Sequence, residues 1–434
     1  MSASLRPGLC FLLALLAGPL PAAEPDPVVP AFDAHLASDP GGSAAFTFRR
    51  SDYTGDLSAL PIGVFDSGIG GLTVLEAILT LDAWNNETSA PGPDGRPDFE
   101  NERFLYLGDQ ANMPYGNYAK AGKTDYLREL ILKDAVFLLG RRYHEDGAVR
   151  HDKPPVKAIV IACNTATAYG LDDLKAAVKR WGIPVIVVGV VEAGARGLVE
   201  SVKEDETGAI GVLATVGTCD SGVYPRTIQG TLGRAGRGVA TITQRGSPDL
   251  AAIIEGDPAR TATVKEQVAA DVLALVESHR AAGAGLSDPK PLATLILGCT
   301  HFPLVESEID AAFEELRADP DLAPHIAPRR RYVDPAEWTA KQLFRELATA
   351  RLRRREGTAP AAERDLFFLS VADRTLATTP LNPDGTLTDA YKYGRDPGRF
   401  LEDTIIVPMT RAILPESGRK LVSSKLPTVW GRLE

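Results

Sequence analysis

From residue 61 onward the chain alternates short runs of consecutive apolar residues with glycine-rich turns and stretches of helical period. The runs fall at 62–65, 104–107, 158–162, 185–191, 210–214 and 294–297. They are continuous rather than alternating, the pattern of parallel strands covered by helices on both faces. A further run at 366–371 predicts a last strand, and helical period at 167–180 and 304–316 predicts two of the covering helices. The fold class this predicts is α/β, with parallel sheets flanked by helices.

Outside these elements the pattern changes. Residues 24–60 are rich in Pro, Gly, Ser and Asp and predict a flexible arm; 85–102 (NNETSAPGPDGRPDFENE) predicts a polar loop insertion. Past residue 355 the chain is again rich in Pro, Gly and Asp, and 404–434 carries no usable pattern. Arg6, the apolar run 10–17 (CFLLALLA) and Ala22-Ala23 have the shape of a secretory signal peptide over 1–23, too short to span a bilayer. Pro21 is an imperfect fit to the cleavage motif. A periplasmic or secreted location is expected if this leader is real, and a cytoplasmic one otherwise.

Two echoes divide the chain further. Ile62-Gly63-Val64-Phe65 leads into Asp66-Ser67-Gly68, as Ile210-Gly211-Val212-Leu213 leads into Ala214-Thr215-Val216-Gly217-Thr218. Ala158-Ile159-Val160-Ile161-Ala162-Cys163-Asn164-Thr165 is matched by Thr294-Leu295-Ile296-Leu297-Gly298-Cys299-Thr300-His301. Two echoes in the same order predict two similar domains with an active site in the cleft between them. The first is expected over 61–186 plus 302–403, the second over 187–301, with 404–434 as a C-terminal extension.

Composition narrows the function classes. With 434 residues, 44% of them hydrophobic, the chain can bury two cores. A net charge of −10 leaves no basic surplus for phosphates, which argues against nucleic acid. The arginine clusters at 329–331 and 353–355 read as solvated edges. With the leader and its Cys10 removed, Cys163, Cys219 and Cys299 remain, an odd number at wide spacings, hence no disulfide framework. Cys219 reads as structural. Cys299 and His301 alone are too few for a zinc site, so no metal is expected.

Cys163 and Cys299 each end an apolar strand and precede a helix, where ligands bind in parallel sheets. A helix N-terminus favours an anion, so both thiolates are expected to be favoured over a free thiol's pKa of about 8.5. Inverting a carbon centre needs a proton taken from one face and another delivered to the opposite face. Two thiols across a cleft can do this, one starting as thiolate and the other as thiol. Asp66 and His301 stand beside them as proton partners. Singly, each residue has a bland reading: a strand-end cysteine is often a small buried hydrophobe, and Asp66 could cap the helix beginning near Gly71. The matched pair weakens those readings together.

Phe65-Asp66-Ser67-Gly68-Ile69-Gly70-Gly71-Leu72-Thr73-Val74, Pro114-Tyr115-Gly116, Ala162-Cys163-Asn164-Thr165-Ala166 and Gly298-Cys299-Thr300-His301-Phe302-Pro303-Leu304 resemble the motif set of bacterial glutamate racemases, in the aspartate/glutamate racemase superfamily. The resemblance covers roughly 61–334. It implies two α/β domains, no pyridoxal phosphate or other cofactor, and D-glutamate supply for peptidoglycan. It also implies that Cys163 exchanges the proton of D-glutamate and Cys299 that of L-glutamate. Asp66, Ser67, Tyr115, Gly116, Asn164, Thr165, Thr300 and His301 would hold the substrate. Glu255, in Leu250-Ala251-Ala252-Ile253-Ile254-Glu255-Gly256, would be a further acid near the second cysteine. Three departures stand out: Ser247-Pro248 where Cys-Pro is commoner, Ala193 for a usual Pro, and Phe302 for a usual Tyr. The expected partner is a small amino acid, with no membrane span and a homodimer as assembly. The competing readings are an aspartate-preferring racemase and an exported two-domain solute-binding protein.

Overall fold

The computed structural model describes residues 28–202, 208–257, 260–287, 289–354 and 364–434. The expected leader, 1–23, lies outside the described residues. In chain order the strands are β1 (Ile62–Asp66), β2 (Phe104–Gly108), the short hairpin β3 (Tyr143–Glu145) and β4 (Ala148–Arg150), β5 (Ala158–Ile161), β6 (Ile186–Gly189), β7 (Ala209–Thr215), β8 (Ile242–Ser247), β9 (Leu292–Gly298), β10 (Ile326–Val333), β11 (Leu366–Ala372) and β12 (Thr404–Pro408). One sheet has the order β12-β11-β2-β1-β5-β6, and the other β10-β9-β7-β8. All pairings in the two sheets are parallel except β11 with β12.

The expected duplication is a property of the topology. The order β2-β1-β5-β6 in the first sheet is repeated as β8-β7-β9-β10 in the second. β1 therefore corresponds to β7, and β5, which ends at Cys163, corresponds to β9, which ends at Cys299. Each sheet adds β-strands joined by helices, as right-handed crossovers between parallel strands require.

The boundaries differ from those expected. β6 pairs with β5, Ile186 opposite Ala158, and so belongs to the first sheet. β10 pairs with β9, which moves residues 302–333 into the second domain. The second domain is thus 208–333. The chain passes between sheets along the helices Val190–Ser201 and Pro335–Thr349, which pack on each other. Around them one continuous core joins Val64 and Leu72 of the first domain to Val212, Tyr224 and Ile296 of the second.

The arm is not flexible from residue 28 on. Val28, Val29, Phe32 and Leu36 are buried on one face of the helix Val28–Ser38. That helix packs on Thr124–Leu139, and Asp33 bonds Arg180 and Trp181. The apolar spacing i, i+1, i+4, i+8 outweighs the loop-like composition. The C-terminal extension is equally built in: β12 edges the first sheet, and the helices Glu416–Lys425 and Pro427–Arg432 bury Val422, Leu426, Val429 and Leu433. The 85–102 insertion is a loop, closed on Asp98, whose carboxylate accepts the backbone N–H groups of Ala83 and Trp84.

The arginine clusters are solvated edges only in part: Arg329 is exposed, while others turn inward. The Arg330 side chain is buried on β10, paired with Asp310 and Glu314. Arg354 is buried, and Arg353 lies over the Phe344 ring; Arg355 is outside the described residues. Among the described residues no helix is long and apolar enough to cross a membrane.

Candidate active site

β1 delivers the loop that carries the first half of the site. Asp66, the last residue of β1, is buried, and its Oδ2 accepts the N–H groups of Gly68 and Gly71, both at 3.1 Å. Those two bonds curl residues 66–71 into a tight turn ahead of the helix Leu72–Thr80. Burial pushes the Asp66 carboxyl up to about 6, against the nearby His301 charge and the two N–H groups, which favour the anion. Tyr106 on β2 donates to the Gly68 carbonyl at 2.6 Å and fixes the turn from beneath.

Cys163 follows β5 and is the N-cap of the helix Asn164–Trp181, its Sγ accepting from Ala166 N–H at 3.4 Å. Its thiol donates to Ser67 Oγ at 3.7 Å, tying it to the same turn. Burial, reinforced by the Asp66 charge, raises the Cys163 pKa far above an ordinary thiol, although the Ala166 N–H and Ser67 pull the other way. This corrects the expectation that the helix N-terminus favours a thiolate here. One N–H bond at 3.4 Å does not offset full burial beside a carboxylate. Cys163 rests as a thiol.

Cys299, after β9, meets the same turn through His301. Its Sγ is 3.6 Å from His301 Nδ1, and His301 Nε2 is 2.8 Å from Glu255 Oε1. Burial alone would lower the pKa of His301, but its bonds to Cys299 and Glu255 outweigh that and hold it well above the ordinary histidine value. The imidazolium so favoured has an N–H for each neighbour. Glu255 is the last residue of the helix Leu250–Glu255, which Gly256 closes at φ +77°.

The halves meet at glycines. A methyl group on Gly70 would stand 2.2 Å from His301 Cε1, and one on Gly68 would stand 3.7 Å from Glu255 Oε1. Gly217, at the start of the short helix Val216–Asp220, lies against Gly116 so closely that a Cβ would come within 2.7 Å of its Cα. Polar bonds cross the interface as well. Thr73 Oγ1 donates to the Thr300 carbonyl at 2.9 Å, and Tyr224 donates to Asn164 Oδ1 at 2.7 Å. Thr165 Oγ1 is 3.2 Å from both Thr215 and Thr218 hydroxyls. The two sulfurs thus belong to one assembly around residues 66–71, one presenting a thiol to Ser67 and the other facing an imidazole. Among the described residues no group of three or more His, Cys, Asp or Glu is arranged to hold a metal ion.

A family model described as Asp/Glu/Hydantoin racemase matches residues 143–343. A glutamate racemase of Limosilactobacillus fermentum is 34% identical over 279 residues, covering 64% of this chain and 77% of that protein. One of Enterococcus faecalis is 34% identical over 248 residues, covering 57% and 69%. The chain belongs to the aspartate/glutamate racemase family. Among solved structures, a glutamate racemase isoform from Bacillus anthracis aligns with a TM-score of 0.50 at 27% identity, over 72% of this chain and 89% of that one.

For this racemase-family chain, the structure brings Asp66, Ser67, Cys163, Cys299, Thr300, His301 and Glu255 to one place. Asn164 and Thr165 are there too, though Asn164 Oδ1 and the Thr165 hydroxyl are already engaged across the domain interface. Gly116 is at that interface against Gly217. Tyr115 differs: its hydroxyl is 2.5 Å from Asp109 Oδ2 and 2.6 Å from Asp134 Oδ2, in the first domain's interior. One hydroxyl proton cannot serve two carboxylates, so one of them holds a proton of its own. Burial, helped by the Asp109 charge, pushes Asp134 well above the carboxylate range. Its hydroxyl is therefore committed to the fold. Cys219 is half-buried on the Val216–Asp220 helix, its thiol pushed up to about 12 by burial, consistent with a structural residue. Sequence reasoning missed Thr73, Tyr106, Thr215, Thr218 and Tyr224. Thr215 and Thr218 carry a usable signal, since they lie in the segment that echoes 66–68.

Proposed function

We propose that this chain interconverts L- and D-glutamate by moving protons at the α-carbon between Cys163 and Cys299. The observation that carries the reading is the placement of the two cysteines at equivalent strand ends of a duplicated topology, Cys163 bonded to Ser67 and Cys299 to His301, whose ring lies against Gly70 of the same turn. A solute-binding protein has no need of that pairing. In the L to D direction the Cys299 sulfur takes the α-proton: the Cα–H bond breaks, an S–H bond forms, and the electron pair stays on Cα. The Cys163 thiol then delivers its proton to the opposite face, forming the new Cα–H bond and leaving a thiolate. The enzyme finishes with its protons exchanged between sulfurs, ready for the reverse reaction. His301, held by Glu255, places an N–H beside the sulfur that starts as base. Asp66, beside Cys163, raises the affinity of that thiol for its proton and so keeps it ready as the acid.

The test is L-glutamate with purified protein in D₂O and no added cofactor. Loss of the α-proton signal together with formation of D-glutamate is expected. Cys163→Ala and Cys299→Ala should each lower racemisation by roughly 10²–10⁴-fold or more while remaining folded, the usual worth of a general acid or base. Full turnover in either variant overturns the two-thiol assignment. Faster turnover of aspartate than glutamate would favour the aspartate-preferring relative. The product would serve peptidoglycan synthesis. An exported enzyme would release it outside the membrane, and the N-terminal residue of the mature protein decides the compartment.

A further inference from the structure

The extension 404–434 lies beyond the residues the family model matches, yet it reaches the active site. Its helix Glu416–Lys425 begins between the two domains. Gly418 is buried against Ile69 of the Asp66–Gly71 turn: a Cβ there would stand 3.0 Å from Ile69 Cδ1. One residue earlier, Ser417 packs on the second domain, its Cβ 2.8 Å from where a Cβ on Gly256 would be. Gly256 directly follows Glu255, the residue that holds His301.

We propose that Ser417 and Gly418 are positioning residues of the active site, forming a clasp that holds the Glu255–Gly256 corner of the second domain against the Asp66–Gly71 turn of the first, and so keeps Glu255 on His301. The clasp has a firm base. Val422, Leu426, Val429 and Leu433 bury into the same core as Ile69 and Leu72. Glu76, on the helix that the turn opens, accepts the Thr428 and Val429 N–H groups at 3.0 and 2.7 Å. Arg432 is paired with Asp365 at 2.7 Å. The helix start therefore cannot drift from the first domain, while Gly256 offers no side chain to keep it away. His301 itself is faced by Glu255, Cys299 and the Thr300 hydroxyl from its own domain, and by Asp66 from the other. The extension touches the segments of two of these, Asp66 through Ile69 and Glu255 through Gly256, and of the two only Glu255 is bonded to the His301 ring.

The inference rests on the racemase reading, and the experiment separates the two. Wild type, Ser417→Tyr, the milder Ser417→Val and the control Ser423→Tyr, a matching insertion on the exposed face of the same helix, are compared by glutamate racemisation across pH. The wedge at 417 should lower kcat about tenfold, part of the worth of a positioned acid–base pair, with a smaller change in KM. With Glu255 displaced, the alkaline limb of the kcat profile should move down by about one pH unit. Ser417→Val should do the same in smaller measure, and Ser423→Tyr should match wild type. Should Ser417→Tyr not fold, Ser417→Val decides. A folded Ser417 variant with wild-type kcat and profile overturns the clasp while leaving the racemase intact. A wild-type protein that turns over no glutamate overturns the racemase reading, and the clasp with it.

Discussion

Asp66 shows how the site uses burial against stability. Its carboxyl is pushed up to about 6 in the folded chain, from an ordinary value of 3.8. The folded state thus holds this proton more tightly than the unfolded one. Asp66 then contributes fully to stability below about pH 4, and that contribution is lost as pH rises from about 4 to 6. Two pKa units correspond to about 3 kcal/mol, a cost still present at pH 8. Asp66→Asn keeps an oxygen for the Gly68 and Gly71 N–H groups and removes the buried charge. It should raise the melting temperature at pH 8 by a few degrees, with little change at pH 4, and lower racemisation sharply. A variant less stable than wild type at pH 8 would show that the carboxylate is paid for within the fold. The pairing of Cys299 with His301 was legible in the sequence because one short motif places both at the tip of β9, and that of Cys163 with Asp66 because each follows or ends a strand of the same buried type, β5 and β1. The engagement of Tyr115 by Asp109 and Asp134 was not, since Asp134 is 19 residues away on a helix whose other positions read as core.

At the scale of elements, the legible strands are the buried ones. β1, β2, β5, β6, β7, β9 and β11 present continuous apolar runs because each but β6 has a paired neighbour on both sides and all are covered by helices. The strands without a sequence signal lie at sheet edges. β8 reads Ile-Thr-Gln-Arg-Gly-Ser, half-buried for much of its length, and β10 carries three arginines, of which Arg330 is buried only through Asp310, Glu314 and Tyr332. β12 is half-buried throughout. Such edges need pair on one side only, so they tolerate polar residues. What joins the elements into a site is the close approach of the β1 turn to the β9 turn, and Gly70 is its tightest point. In Gly70→Ala the new methyl would meet His301 Cε1 at 2.2 Å, Nε2 at 2.6 Å and Thr300 Oγ1 at 2.7 Å. These belong to a buried ring and its neighbour, so the domain tips must part. Displacement of about an ångström costs on the order of 10²-fold in rate. Gly70→Ala should lose about that much kcat while its circular dichroism stays native, and wild-type kcat in this variant would show that the tips are not held this close in solution.

The whole molecule is organised as two sheets that share one interior. The echoes foretell the repeat, but they place its edges wrongly because the passages between domains are helices of ordinary amphipathic period. Val190–Ser201 and Pro335–Thr349 pack on each other, and their buried faces join the core of β1 and β2 to that of β7 and β9. Thr73, Thr165 and Tyr224 add polar bonds across the same boundary, and the extension clasps it from outside. Interfaces between domains of one chain are usually smaller and more polar than their interiors, and such domains then unfold separately. Here removing the second domain would strip the apolar faces of both passage helices. The chain should therefore melt in a single calorimetric transition, with the van't Hoff enthalpy equal to the calorimetric one. The excised segment 208–333 should lack stable tertiary structure by near-ultraviolet circular dichroism, since Val212, Tyr224 and Ile296 would lose their partners to water. Two resolved transitions, or a folded 208–333 fragment, would mean that the duplicated halves are independent bodies and that closure of the cleft owes nothing to a common core.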